Sequence, residues 1–134
     1  MIAVLDSSAA VEFILNRTGK ESIESFLLTA DSVIAPDIFI SEISNVFWKY
    51  HKFESLRLDI CEELIEKSIQ LIDRFESSNE LYRESFHLSC ENNLTVYDSL
   101  YMVLARRNHA SLLSIDKKLN EAAKSNGIKI LNLK

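Results

Sequence analysis

Short apolar runs alternate with amphipathic stretches along the whole chain. Ile2-Ala3-Val4-Leu5 has strand length, and three helix-capping residue types, Asp6-Ser7-Ser8, stop it before an apolar stretch from Ala9 to Leu15. Asn16 to Lys20, with Gly19, breaks that stretch. An amphipathic helix is predicted from Lys20 to Thr29, with Ile23, Phe26 and Leu27 on one face. Val33-Ile34-Ala35 reads as a second strand ended by Pro36, and Asp37 is placed to cap a helix continuing to about Lys52. The next helix carries Ile60, Leu64, Ile65 and Ile69 on one side, and its tail, Leu71 to Phe75, fits either more helix or a third strand. Ser78-Asn79 opens a helix to about Glu91, Asn92-Asn93 turns the chain, and a further helix runs from Val96 to Arg107. Ser111 to Ile115 is strand-like, Asp116 to Ser125 is helical, Gly127 is a C-terminal stop, and Ile128 to Leu131 is a last strand.

Strands separated by helices imply parallel pairing through right-handed crossovers. The expected fold is a single α/β domain over residues 1–134, with a mostly parallel central sheet flanked by helices in three layers. Open sheets of this kind bind ligands beyond the C-terminal ends of their strands. Residues that directly follow a strand are therefore where chemistry is sought.

Composition narrows the class. Hydrophobic residues make up 47% and charged residues 26% of the 134, which suits one folded domain and leaves no low-complexity segment. No run approaches the about 20 apolar residues of a bilayer crossing. Met1 to Leu5 meets Asp6 too soon for a secretory signal, so a cytoplasmic protein with no membrane partner is expected. Cys61 and Cys90 lack metal-type spacing and read as reduced core thiols. The net charge of −5 means that a polyanionic partner must be met by local basic patches and bound cations.

Four acids stand where chemistry is expected. Asp6 follows the first strand, Asp116 follows the strand ending at Ile115, and Asp98 lies in the first turn of a helix. Glu42 sits one turn into the helix that starts at Asp37, and at about 100° per residue it shares a face with Asn45 and Lys49. Ile43, Val46, Phe47 and Tyr50 form the core side of that helix, and Trp48 falls outside it with Ser41 and Ser44. Clustered carboxylates repel one another, and hard oxygen-seeking cations such as Mg²⁺ or Mn²⁺ relieve that repulsion. Taken singly, each Asp is equally well explained as a helix cap or a dipole partner, so a metal site and simple capping both remain open at this level.

Other chemistries find no footing. Gly19 and Gly127 make neither a phosphate-cradling loop nor a dinucleotide fingerprint. Ser8 stands where a phospho-aspartate phosphatase needs its second acid, and Asp6 lacks the acidic neighbour of a receiver domain. His51, His87 and His109 share no spacing that suggests a metal or a triad, and read as surface or capping residues.

The local contexts of the four acids resemble the PIN-domain signature, and specifically the toxin ribonucleases of VapBC toxin–antitoxin pairs. Leu5-Asp6-Ser7-Ser8-Ala9 resembles the opening block, and Ala35-Pro36-Asp37 through Glu42-Ile43-Ser44-Asn45 the second. Tyr97-Asp98-Ser99-Leu100-Tyr101 through Leu104-Ala105 resembles the third, and Leu113-Ser114-Ile115-Asp116-Lys117-Lys118-Leu119 the fourth. Each block is weak alone, but four in order across nearly the whole chain are specific. Ser99 stands for a common Ala and Ser114 for a common Thr; Lys117 and Lys118 occupy a stretch where some relatives carry a further acid.

The resemblance implies a Mg²⁺- or Mn²⁺-dependent endoribonuclease with Asp6, Glu42, Asp98 and Asp116 as catalytic metal-binding acids. Ser8 and Ser114 would steady their neighbours, while Asn45 would orient Glu42 or meet the substrate. Lys49, Lys117 and Lys118 are the basic residues placed to receive RNA. It also implies two protein partners, a cognate antitoxin and a second copy of this chain, with Trp48 as an interface anchor or else tucked under a neighbouring helix. The alternatives are an RNA-processing PIN nuclease without an antitoxin and a non-catalytic interaction module on the same scaffold.

Overall fold

Which face each strand residue turns to decides the layering. In the computed structural model, which describes residues 1–131, four strands are present among the described residues: β1 (Ile2–Leu5), β2 (Ser32–Pro36), β3 (Arg74–Glu76) and β4 (Ser111–Leu113). Val4, Ile34 and Leu112 turn to one core; Leu5, Val33, Ala35 and Leu113, their immediate neighbours in sequence, turn to the other. Burial on both faces is what makes these strands continuous apolar runs.

The sheet is parallel throughout, in the order β3-β2-β1-β4. One core is covered by α5 (Ser78–Asn92), α6 (Val96–Arg107) and α7 (Lys117–Ser125), the other by α1 (Ser7–Ile14), α2 (Lys20–Thr29), α3 (Ile38–Glu54) and α4 (Leu58–Gln70). Helix α6 is the most deeply packed, with Ser99 to Ala105 all buried. This is the expected three-layer α/β arrangement.

Several local expectations change. Asp37 makes no capping bond to α3; its Oδ1 instead accepts from the Ser78 backbone N at 3.2 Å and from the Ser78 hydroxyl at 2.5 Å, tying β2 to the start of α5. The cap of α5 is Ser77, one residue earlier than expected. Leu71 to Asp73 form a turn, and β3 begins only at Arg74. Asp73 sets its register: its N–H donates to the Val33 carbonyl at 2.7 Å and its Oδ2 accepts from the Val33 N–H at 2.8 Å.

The strand expected from Ile128 to Leu131 is reduced to a single bridge between Leu112 and Ile130, flanked by bonds from Leu112 N to the Lys129 carbonyl and from Leu131 N to the Leu112 carbonyl. Cys61 is buried as expected, but Cys90 is exposed on α5, because its helix turns Leu81, Ser85 and Leu88 inward instead. No described helix is long and apolar enough to cross a membrane.

Candidate active site

The order of strands creates the site. From β1 the chain adds β2 and then β3 on one side, and later returns to place β4 on the other. The crevice at such a reversal, beyond the C-terminal ends of the two strands, is where open α/β sheets bind ligands. Asp6 leaves β1 there, and Ser114 to Asp116 leave β4.

Asp6 is the most constrained of the acids, at 5% exposure. Its extended backbone makes it the N-cap of α1, with Oδ1 accepting from Ala9 N at 2.9 Å and from the Ser8 hydroxyl at 2.7 Å. Its Oδ2 accepts from the Ser114 hydroxyl at 2.5 Å. Ser114 also accepts from Asp116 N at 3.0 Å, and Asp116 caps α7 by accepting from Leu119 N at 3.1 Å. The Asn120 amide donates to the Ser114 carbonyl at 2.8 Å, so the loop after β4 is held from both sides.

Asp98 enters on α6, whose N-cap Thr95 accepts from Asp98 N at 3.2 Å. Glu42 comes from α3, on the margin between the buried side of Ile43 and Phe47 and solvent. Its Oε1 accepts from the Tyr101 hydroxyl at 2.6 Å, which links α3 to α6.

The electrostatics show that the acids share one neighbourhood. Burial pushes the Asp6 carboxyl from its ordinary 3.8 up to about 6, against the bonds from Ser114, Ala9 N and Ser8, and the charge of Glu42 adds to the rise. Glu42 is likewise raised, first by burial and then by the charge of Asp98, while Tyr101 and the Ser7 hydroxyl oppose the shift. Asp98 is raised by burial and by the charge of Asp116, with Thr95 and the Lys118 ammonium acting the other way. Repulsion thus runs in an unbroken chain, Asp6 to Glu42 to Asp98 to Asp116. Tyr101 is pushed far above the ordinary phenol by burial and by Glu42, so it remains a donor.

Among the described residues, none of the four acids forms an ion pair with Lys or Arg. Nor do any three His, Cys, Asp or Glu side chains there make a ready-made metal-holding group. An all-oxygen, anionic set without a direct ion pair suits a hard divalent cation, and Mg²⁺ needs only one or two direct carboxylates because it keeps several of its waters. The residues fit such an ion.

The other residues singled out in the sequence fall as follows. Ser8 and Ser114 bond to Asp6, and their hydroxyls lie 3.4 Å apart. Asn45 and Lys49 are exposed on α3, and it is Tyr101, not Asn45, that bonds to Glu42. Lys117 and Lys118 are exposed in the first turn of α7, and Lys118 is close enough to influence Asp98. Trp48 is not tucked under a helix: it is 54% exposed and packs edge-on against the exposed ring of Phe53. Two residues of the site, Tyr101 and Ser7, escaped the reading of the sequence. Tyr101 carried one usable signal, since it lies three residues after Asp98 on an otherwise apolar buried helix, where a phenol must find a partner.

The strand order and the acid-lined crevice define an α/β domain of the PIN domain family: that family's profile matches residues 3–125, and the chain belongs to it. Among characterised proteins it is 27% identical over 123 residues to ribonuclease VapC3 of Pyrobaculum aerophilum, covering 90% of this chain and 94% of that one. The fold is shared with PAE2754 from Pyrobaculum aerophilum, at a TM-score of 0.73 and 19% identity over 98% of this chain and 92% of that one. It is also shared with FitAcB from Neisseria gonorrhoeae, at a TM-score of 0.64 and 18% identity over 98% and 97% of the two chains. VapBC2 from Rickettsia felis, solved bound to a DNA fragment from its promoter, matches at a TM-score of 0.68 and 15% identity over 100% of both chains.

Proposed function

We propose that this chain is a divalent-cation-dependent endoribonuclease that hydrolyses phosphodiester bonds in RNA and serves as the toxin of a toxin–antitoxin pair. The observation that carries the reading is the placement of Asp6 and Asp116 directly beyond β1 and β4, at the strand-order reversal of a PIN domain, with Glu42 and Asp98 entering from α3 and α6. Similarity to ribonuclease VapC3 supports RNA as the substrate.

A Mg²⁺ or Mn²⁺ ion held by these acids would supply an activated water and neutralise charge on the phosphate under attack. The chain's own residues do the rest. Ser8, Ser114 and the Ala9 N–H hold Asp6 in one orientation before any ligand arrives, so little reorganisation is needed on binding. Tyr101 does the same for Glu42. Lys118, beside Asp98, with exposed Lys117 next to it and exposed Lys49 on α3, would meet the phosphate backbone, and exposed Asn45 would contact the substrate. A basic side chain from an antitoxin, laid into the acidic crevice, would compete with both cation and RNA.

Purified protein is incubated with single-stranded RNA and Mn²⁺ or Mg²⁺, and the new ends are sequenced. Cleavage that is lost in excess chelator, and lost in Asp6→Asn or Asp98→Asn with the fold intact, is the expected result. Full activity in chelator sinks the reading. Co-purification of a small protein that suppresses cleavage identifies the antitoxin, and cleavage with no such partner favours the RNA-processing alternative.

A further inference from the structure

The geometry points to Tyr101 as a positioning residue that holds the Glu42 carboxylate ready for a divalent cation, an assignment that rests on the metal-dependent reading above. Tyr101 is among the largest fully buried side chains of the protein, at 1% exposure, and it is set among Leu100, Met102 and Leu104 on α6. Its only polar atom leaves the core at one point, where it donates to Glu42 Oε1 at 2.6 Å. A buried phenol is costly without a partner, so the bond fixes the ring and the carboxylate together.

The consequence falls on Glu42. A Glu on the margin of a helix samples many rotamers, and ordering it on binding costs conformational entropy. With Oε1 held by Tyr101, that ordering is largely done in advance. The bond also changes what sets the spacing of the acids. Asp98 and Tyr101 lie one turn apart on α6, so a single turn of that helix carries one acid and the group that holds another. The placement of Glu42 against Asp98 then follows α6, the most buried helix, and depends less on how α3 settles against its neighbours. The Ser7 hydroxyl lies beside both Glu42 and Tyr101, which extends the arrangement back to the residue next to Asp6.

Groups that orient a metal ligand through a hydrogen bond typically change metal affinity by 10- to 100-fold when removed. The test is calorimetric titration of Mn²⁺ into the wild type, Tyr101→Phe, Glu42→Ala and the double variant, with RNA-cleavage kinetics on each. Thermal melts and near-UV circular dichroism in chelator check the fold. Tyr101→Phe is expected to bind Mn²⁺ roughly 10- to 100-fold more weakly, with kcat lowered and the KM for RNA nearly unchanged. In the Glu42→Ala background the same change should do nothing more, because the residue acts only through Glu42. Binding by Tyr101→Phe within about twofold of wild type, whatever its melting temperature, overturns the assignment. So does a loss of similar size in the Glu42→Ala background. A wild type that neither binds Mn²⁺ nor cleaves RNA removes the metal-dependent reading itself, and the assignment with it; a wild type that does both, beside an unaffected Tyr101→Phe, removes the assignment alone.

Discussion

Ser114 donates its hydroxyl to Asp6 Oδ2 at 2.5 Å across the crevice between β1 and β4, joining residues 108 apart in the chain. Ser114 Oγ in turn accepts from Asp116 N at 3.0 Å, so one small side chain steadies two of the four acids.

Removing that hydroxyl should therefore cost stability in a pH-dependent way. Ser114→Ala leaves a buried, ionised Asp6 short of a donor, a loss of roughly 2 kcal/mol for a hydrogen bond to a charged group. Ser114 is the strongest group holding the Asp6 carboxyl down, so the titration should move above about 6 in the variant. Urea unfolding at pH 8 should show the full loss, and at pH 4.5, where folded Asp6 is protonated, a smaller one. An equal loss at both pH values would mean that Ser114 does not act through the Asp6 charge.

Asp6 itself sets function against stability. Its pKa is about 6 folded against an ordinary 3.8, so the folded state holds the proton more tightly than the unfolded state does. Stability contributed by the protonated form is complete below the lower value and is lost as pH rises through the higher. Above pH 6 the ionised group costs roughly 3 kcal/mol, at about 1.36 kcal/mol for each pH unit that separates the two values. Asp6→Asn should thus gain up to roughly 3 kcal/mol at pH 8 while losing cleavage, and the gain should shrink as pH falls from about 6 to 3.8 and be nearly gone below that. Mn²⁺ should raise the melting temperature of the wild type at pH 8 and leave that of Asp6→Asn almost unmoved. A variant less stable than wild type at pH 8 contradicts the argument.

RNA binding should depend on Lys117 and Lys118 at the start of α7 and on Lys49 further along α3, because the chain carries a net charge of −5. Replacing Lys49, Lys117 and Lys118 together should weaken binding and flatten its dependence on salt, since each lysine that no longer meets a phosphate lowers the slope by about one. Fluorescence titrations across a salt series measure this. An unchanged slope would place the RNA elsewhere on the surface.

Trp48 and Phe53 form an exposed edge-to-face pair near the C-terminal end of α3, with ring centroids 6.1 Å apart. Large aromatic side chains are favoured anchors in protein contacts. Trp48→Ala should weaken self-association or antitoxin binding while shifting thermal stability little, because the ring contributes little to the core. Sedimentation and antitoxin titration that both match wild type would show that the pair anchors neither partner.

The parts of this architecture that could be read from the sequence share a physical cause. Strands β1, β2 and β4 are buried on both faces, so their apolar runs stand out, and the acids that follow them stand out in turn. The edge strand β3 does not: Arg74-Phe75-Glu76 has charges at both ends, and its place comes from the two bonds between Asp73 and Val33, a pairing 40 residues apart that no local period reveals. Asp37 misled for a related reason, since a good capping residue was diverted to Ser78 by tertiary structure. Tyr101 holds Glu42 across 59 residues, and helical periodicity could mark it as buried without naming its partner.

The place of β4 in the sheet also orders events in time. Asp6 is made before the groups that complete its surroundings, Ser114 and Asp116, which come more than a hundred residues later. Contacts so distant in sequence close late, after the earlier chain has begun to fold. A nascent or prematurely terminated chain that stops before β4 therefore has Asp6 and Glu42 but no assembled crevice. Whatever chemistry the crevice performs is thereby withheld by topology alone until β4 has been made and has paired with β1.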